Sequence, residues 1–138
     1  MNRNYNVSCK NSTKNSSNYI NVDISELDKI INHSAENVFC SCLNHVDSST
    51  IDGLVNDILN KVKPGGIVTL SIVDVKKYAS DFINGVIGGE YLLKILSNFK
   101  CILSIEDLYT KININTFNIK QVLKNDNSID ITIERMSI

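Results

Sequence analysis

The residues of this chain that could do chemistry fall into two groups. Cys9, Cys40, Cys42 and Cys101 are the cysteines, and Cys40-Ser41-Cys42 followed by His45 brings three soft donors close together in sequence. No fourth ligand follows at zinc-site spacing. A C-x-C pair on a strand sets two small apolar groups on one face, so the expected reading is free thiols and no metal. The second group begins in YNVSCKNSTKNSSNYINVDI, residues 5–24, which alternates, breaks into a polar run and alternates again up to Asp23. Strand, loop, strand and a terminal acid is how a nucleotide site often begins. The loop has no glycine, so either a site persists without one or the stretch is plain surface.

Positioning these residues requires a sheet. Residues 4–9 and 19–24 read as short strands around a polar loop at 10–18, and 25–32 as a turn or two of helix capped by Ser25. NVFCSCL, 37–43, is a nearly continuous apolar run, as in a strand covered on both faces. From about Ser49 to Lys63, Ile51, Leu54, Val55, Ile58, Leu59 and Val62 recur at helical spacing, with Ser48 and Ser49 available as caps. Pro64-Gly65-Gly66 is expected to end that helix, because proline cannot continue it and glycine accepts a positive φ. IVTLSIVD, 67–74, is a second buried strand, so strand, helix and strand predict a parallel βαβ unit. Helices at 75–87 and 89–98 follow, then a capping-box start at Ser104 and Asp107. Strands at 117–123 and 129–135 flank Asn125-Asp126-Asn127-Ser128 as a terminal hairpin. The expected architecture is an α/β Rossmann-like fold: a mostly parallel sheet, closed by an antiparallel hairpin, with helices on both faces.

Composition bounds the partners. With 138 residues and 43% hydrophobic content the chain suits one domain over 1–138, in which 75–113 is a helical segment before the hairpin. Its formal net charge of -1, with both signs interspersed, argues against nucleic acid as a partner. No apolar run approaches the roughly 18 to 20 residues that span a bilayer, and the start lacks a signal-peptide core. Neither membrane insertion nor export is expected, and the location expected is cytoplasmic. The bias to Asn, Lys and Ile suggests an AT-rich genome, viral or bacterial.

NHSAENVFCSCLNHVDSSTIDGLVNDILNKVKPGGIVTLSIVD resembles the middle of a class I S-adenosylmethionine-dependent methyltransferase. It has a strand, an LxHV-like tip, an amphipathic helix ending in K-P-G-G and a strand ending in Asp. The closing TFNIKQVLKNDNSIDITIER resembles the last two strands of that sheet. The nearest subgroup is that of small predicted methyltransferases associated with sugar or surface-polysaccharide genes, whose first two strands are joined directly. The resemblance lays Ser8, Cys9, Asn11 and Cys42 along the cofactor and puts Asp23 at the ribose hydroxyls. It offers His45 and Asp74 as weak catalytic candidates and leaves the catalytic group otherwise unknown. Ser8 and Lys10 stand where the family has glycines, and Asn44 where an acid is common before the histidine. A lost glycine is expected to strain the backbone and crowd the cofactor. The implied function is S-adenosylmethionine-dependent methyl transfer to a small molecule or glycan. The alternative is a degenerate fold, a pseudoenzyme kept as a binding or assembly subunit with a protein partner or a second copy, for instance in a viral assembly.

Overall fold

The computed structural model describes residues 3–9 and 18–137, so most of the 10–18 loop, with Lys10, Asn11 and Lys14, lies outside the described residues. The strands are β1 (Asn4–Ser8), β2 (Ile20–Asp23), β3 (Ala35–Cys40), β4 (Val62–Val73), β5 (Phe117–Lys124) and β6 (Ser128–Arg135). They form one sheet in the order β2-β1-β3-β4-β6-β5. The pairs β2/β1, β1/β3 and β3/β4 are parallel; the terminal hairpin adds β6 antiparallel to both β4 and β5. Helices α1 (Ile51–Leu59), α2 (Val75–Ile83), α3 (Gly89–Leu96) and α4 (Ile105–Tyr109) lie around the sheet. This is the mixed α/β domain that the order of the elements predicts.

Strand register explains why the sheet holds together. A single row of partners, Val22, Val7, Cys40, Leu70, Ile131 and Val122, crosses all six strands on one face. Val7, Cys40, Leu70 and Ile131 are fully inaccessible, and Ile51, Val55, Ile58 and Leu59 of α1 belong to the same core. Fully burying a side chain of this size is worth about 1.5–3 kcal/mol, so the row contributes substantially to the stability of the domain. The neighbouring row on the opposite face, Asn21, Asn6, Phe39, Thr69, Thr132 and Gln121, is polar at every position but Phe39 and less covered. There Asn6 Nδ2 donates to Asn21 Oδ1 at 3.1 Å.

Three sequence expectations change. The helix ends at Leu59 rather than near Lys63, because the Asn60 and Lys61 carbonyls accept from His33, Ser34 and Ala35, and Val62 already pairs with Ala35. Pro64-Gly65-Gly66 therefore lies inside β4 as an irregularity where the β3 register shifts between Ala35 and Asn37. Gly65 takes φ +81, and a Cβ on Gly66 would sit 2.8 Å from Lys63 O and 2.9 Å from Ala35 O, so both glycines are structural. Ser48 and Ser49 do not cap α1; they form a 3-10 turn with Thr50, whose hydroxyl donates to Asp47 O at 2.9 Å. The 3-10 turn Ile24–Lys29 is capped by Asp23, not Ser25. By contrast, the Ser104/Asp107 capping box forms in both directions at the start of α4.

Candidate functional site

Topology marks the place where a ligand belongs. From β1 the chain goes to β2 on one side and later to β3 on the other, so the crevice between the carboxyl ends of β1 and β3 is a topological switch point. A cavity of about 590 Å³ opens there, lined by Ser8, Cys9, Ser41, Cys42, His45, Asn98 and Lys100. That volume is within the range of small-molecule and cofactor sites. Ser8, Cys9, Cys42 and His45 are thus brought together. Ser41, Asn98 and Lys100 were not anticipated: Asn98 and Lys100 arrive through the segment after α3, which no local pattern ties to the strand ends.

Asp23 stands beside this cleft on the next strand, level with Ser8 in the β1/β2 register. Its Oδ1 accepts from Ser25 N at 2.9 Å and Ser25 Oγ at 2.7 Å. The Ser25 amide, then its hydroxyl, hold the carboxyl below its ordinary range, so it is an anion at neutral pH. It caps the turn while remaining partly exposed. Ser8 does not carry the expected backbone strain, since His33 is the one non-glycine residue with positive φ among the described residues. Asn11 lies outside the described residues.

Three thiols gather at the same edge. Cys9 Sγ donates to Cys42 O at 3.4 Å, and the Cys40 and Cys42 sulfurs are 3.7 Å apart. Burial raises the Cys9 thiol; its hydrogen bond with Cys40, then burial, raise that of Cys42, so both are protonated at neutral pH. Among the described residues no group of His, Cys, Asp and Glu is arranged to hold a metal.

Asn44 explains the departure noted before His45. Its Nδ2 donates to Cys101 O at 3.1 Å, its Oδ1 accepts from Val73 N at 2.9 Å, and its carbonyl accepts from Lys100 and Cys101. It is buried and fastens the end of β4 and the 100–101 segment to the β3 tip. A carboxylate in its place could not donate to a carbonyl. His45 is exposed, its ring 5.5 Å from that of Phe99. It also borders a second cavity of about 250 Å³, which Ser41, Ser71, Tyr78 and Phe99 help to line. Asp74 is buried, accepts from Lys77 N at 3.1 Å as the cap of α2, and borders a different cavity with Leu103 and Glu106. The structure does not bring Asp74 to the switch-point cleft.

No protein-family model matches the sequence, and no curated protein matches it. Solved structures do. The chain superposes on an S-adenosylmethionine-dependent methyltransferase from Mesorhizobium loti with TM-score 0.57 at 11% identity, over 95% of this chain and 80% of the other. It matches the PH0226 protein from Pyrococcus horikoshii OT3 with TM-score 0.62 at 10% identity, over 96% and 71%. It also matches an O-methyltransferase family protein from Burkholderia thailandensis with TM-score 0.60 at 12% identity, over 88% of this chain but 37% of the other. The chain therefore spans as little as about a third of the length of some chains that share its fold. At these identities the likeness is one of fold: a methyltransferase-type, Rossmann-like α/β domain.

Proposed function

We propose that this chain binds S-adenosylmethionine at the switch-point cleft and acts as a small methyltransferase on a small molecule or glycan. The observation that carries the reading is the open cleft between β1 and β3, bordered by Ser8, Cys9 and Cys42, with an ionised carboxylate one strand away at Asp23. The cofactor would supply an electrophilic methyl group. Asp23 would accept from its ribose hydroxyls, since its Oδ1 anchors the turn and a carboxylate has further acceptor sites. Ser8, Cys9 and Cys42 would border the cofactor, with Asn11 beyond β1. Transfer needs alignment and exclusion of water, and a base only where the acceptor loses a proton. His45, on the border between the cleft and the smaller Tyr78/Phe99 cavity, is placed to be that base, with the acceptor in the smaller cavity. Asp74 keeps a capping role.

One observation favours the second reading, a cofactor-free fold serving as a binding or assembly subunit. The Asp23 carboxylate already has a structural task, and Ser8 brings a side chain where the resembled family has none. Calorimetric titration with S-adenosylmethionine and S-adenosylhomocysteine separates the two. The first reading expects a dissociation constant on the order of micromolar, weakened about tenfold or more in Asp23→Ala. Absence of heat at millimolar cofactor would overturn it and leave the subunit reading.

A further inference from the structure

We propose that Cys9 and Cys42 form a redox-sensitive pair that closes to a disulfide across the mouth of the switch-point cleft, with a small disulfide of the glutathione class as oxidant. The β1/β3 ladder ends on the pair Val7 and Cys40. Two residues beyond that pair in each segment lie Cys9 and Cys42, and both line the switch-point cavity. A disulfide needs the two Cβ atoms about 3.5–4.5 Å apart, which residues already in contact can reach. Both residues are outside the ladder, since β1 ends at Ser8 and β3 at Cys40. They already touch, through the Cys9 thiol on Cys42 O at 3.4 Å.

Access sets the order of events. Cys9 is partly exposed on the cavity wall, whereas Cys42 is 4% and Cys40 0% exposed. The oxidant therefore meets Cys9 first. The Cys9 thiolate attacks one sulfur of the small disulfide and expels one small thiolate. The Cys42 thiol then gives up its proton and attacks the Cys9 sulfur of the mixed disulfide, expelling the second. Two protein thiols lose two electrons and one small disulfide gains them. Because burial raises the Cys9 thiol, with Cys42, Cys40, Asp23 and Lys100 also acting on it, closure accelerates as pH rises. Cys40, 3.7 Å from Cys42, is the alternative partner that any test must separate. The effect on cofactor entry rests on the reading above; formation of the bridge does not.

The test is peptide mapping by mass spectrometry of the reduced full chain after incubation with oxidised glutathione, with free thiols alkylated. The expected product joins the Cys9 peptide to the one containing Cys42, is reversed by dithiothreitol, and persists in Cys40→Ser and Cys101→Ser but not in Cys9→Ser. A Cys9 that carries only a glutathione adduct, or a Cys40 to Cys42 bridge that survives in Cys9→Ser, would overturn the proposal. If the reduced chain binds S-adenosylmethionine, oxidation is expected to weaken that binding about tenfold; unchanged affinity with the bridge in place would overturn the gating role. A reduced chain that binds no cofactor but still forms the bridge strikes the functional reading alone.

Discussion

Two rows of residues, one position apart in every strand, cross the same six-stranded sheet and have opposite characters. Val22, Val7, Cys40, Leu70, Ile131 and Val122 belong to the core or pack against it; Asn21, Asn6, Phe39, Thr69, Thr132 and Gln121 remain partly or fully accessible. The first row adds buried apolar contacts, and in the second Asn6 bonds to Asn21 across the strands. The contrast bears on the candidate site because Cys40 and Val7 belong to the buried row, and Cys9 and Cys42 follow them by two residues, beyond the ladder, on the wall of the cleft. The cleft thus adjoins the buried core of the sheet, with the Ser8 and Asp23 pair one position beyond Val7 and Val22.

The largest expected effect tests the rows directly. Leu70→Ala removes a fully buried side chain flanked by Cys40 and Ile131 and is expected to cost about 4 kcal/mol in urea unfolding, whereas the adjacent Thr69→Ala should cost less than about 1 kcal/mol. Comparable losses at the two positions would remove the distinction between the faces.

Next comes the clamp that ties this core to the cleft. In Asn44→Asp the side chain can no longer donate to Cys101 O, and a buried negative charge faces a carbonyl oxygen. The expected cost is about 3 kcal/mol near neutral pH. Below the raised pKa of the new carboxyl, protonation restores a donor, so the difference from wild type should narrow in acid. A difference that is constant with pH would show that folding does not penalise the charged form of the new carboxyl.

Much of this was legible in the sequence, and the reasons differ by element. The alternation in Ser128–Arg135 and in IVTLSIV identified the strands and their inner faces, because period two is a property of the strand alone. The Ser104/Asp107 cap was legible because both partners are local. The end of α1 was not: Val62 is buried at a position that extends the helical period, yet it is buried as a strand residue paired with Ala35. Periodicity records burial, not the element that delivers it. In the candidate site, the family resemblance laid Ser8, Cys9, Asp23 and Cys42 at the strand ends, but Lys100 and the Asn44 clamp depend on contacts between segments distant in sequence.

The smallest effect concerns the irregularity that hands α1 over to β4. Gly66 lies on the buried face, and an added methyl would meet Lys63 O, Ala35 O and Val62 Cβ, each within 2.9 Å. Two of those atoms are backbone, so the strain cannot be relieved by turning a side chain. Gly66→Ala is expected to cost about 2 kcal/mol, as overpacked sites do. Gly89, at the start of α3, has nothing within 4 Å of an added Cβ and no positive φ, so Gly89→Ala should stabilise the chain by about 0.5 kcal/mol through a less flexible unfolded state. Urea melts of both variants decide whether K-P-G-G serves packing: a neutral Gly66→Ala would mean that the β3/β4 register shifts freely, and the fixed strand ends on which the cleft depends would lose their physical basis.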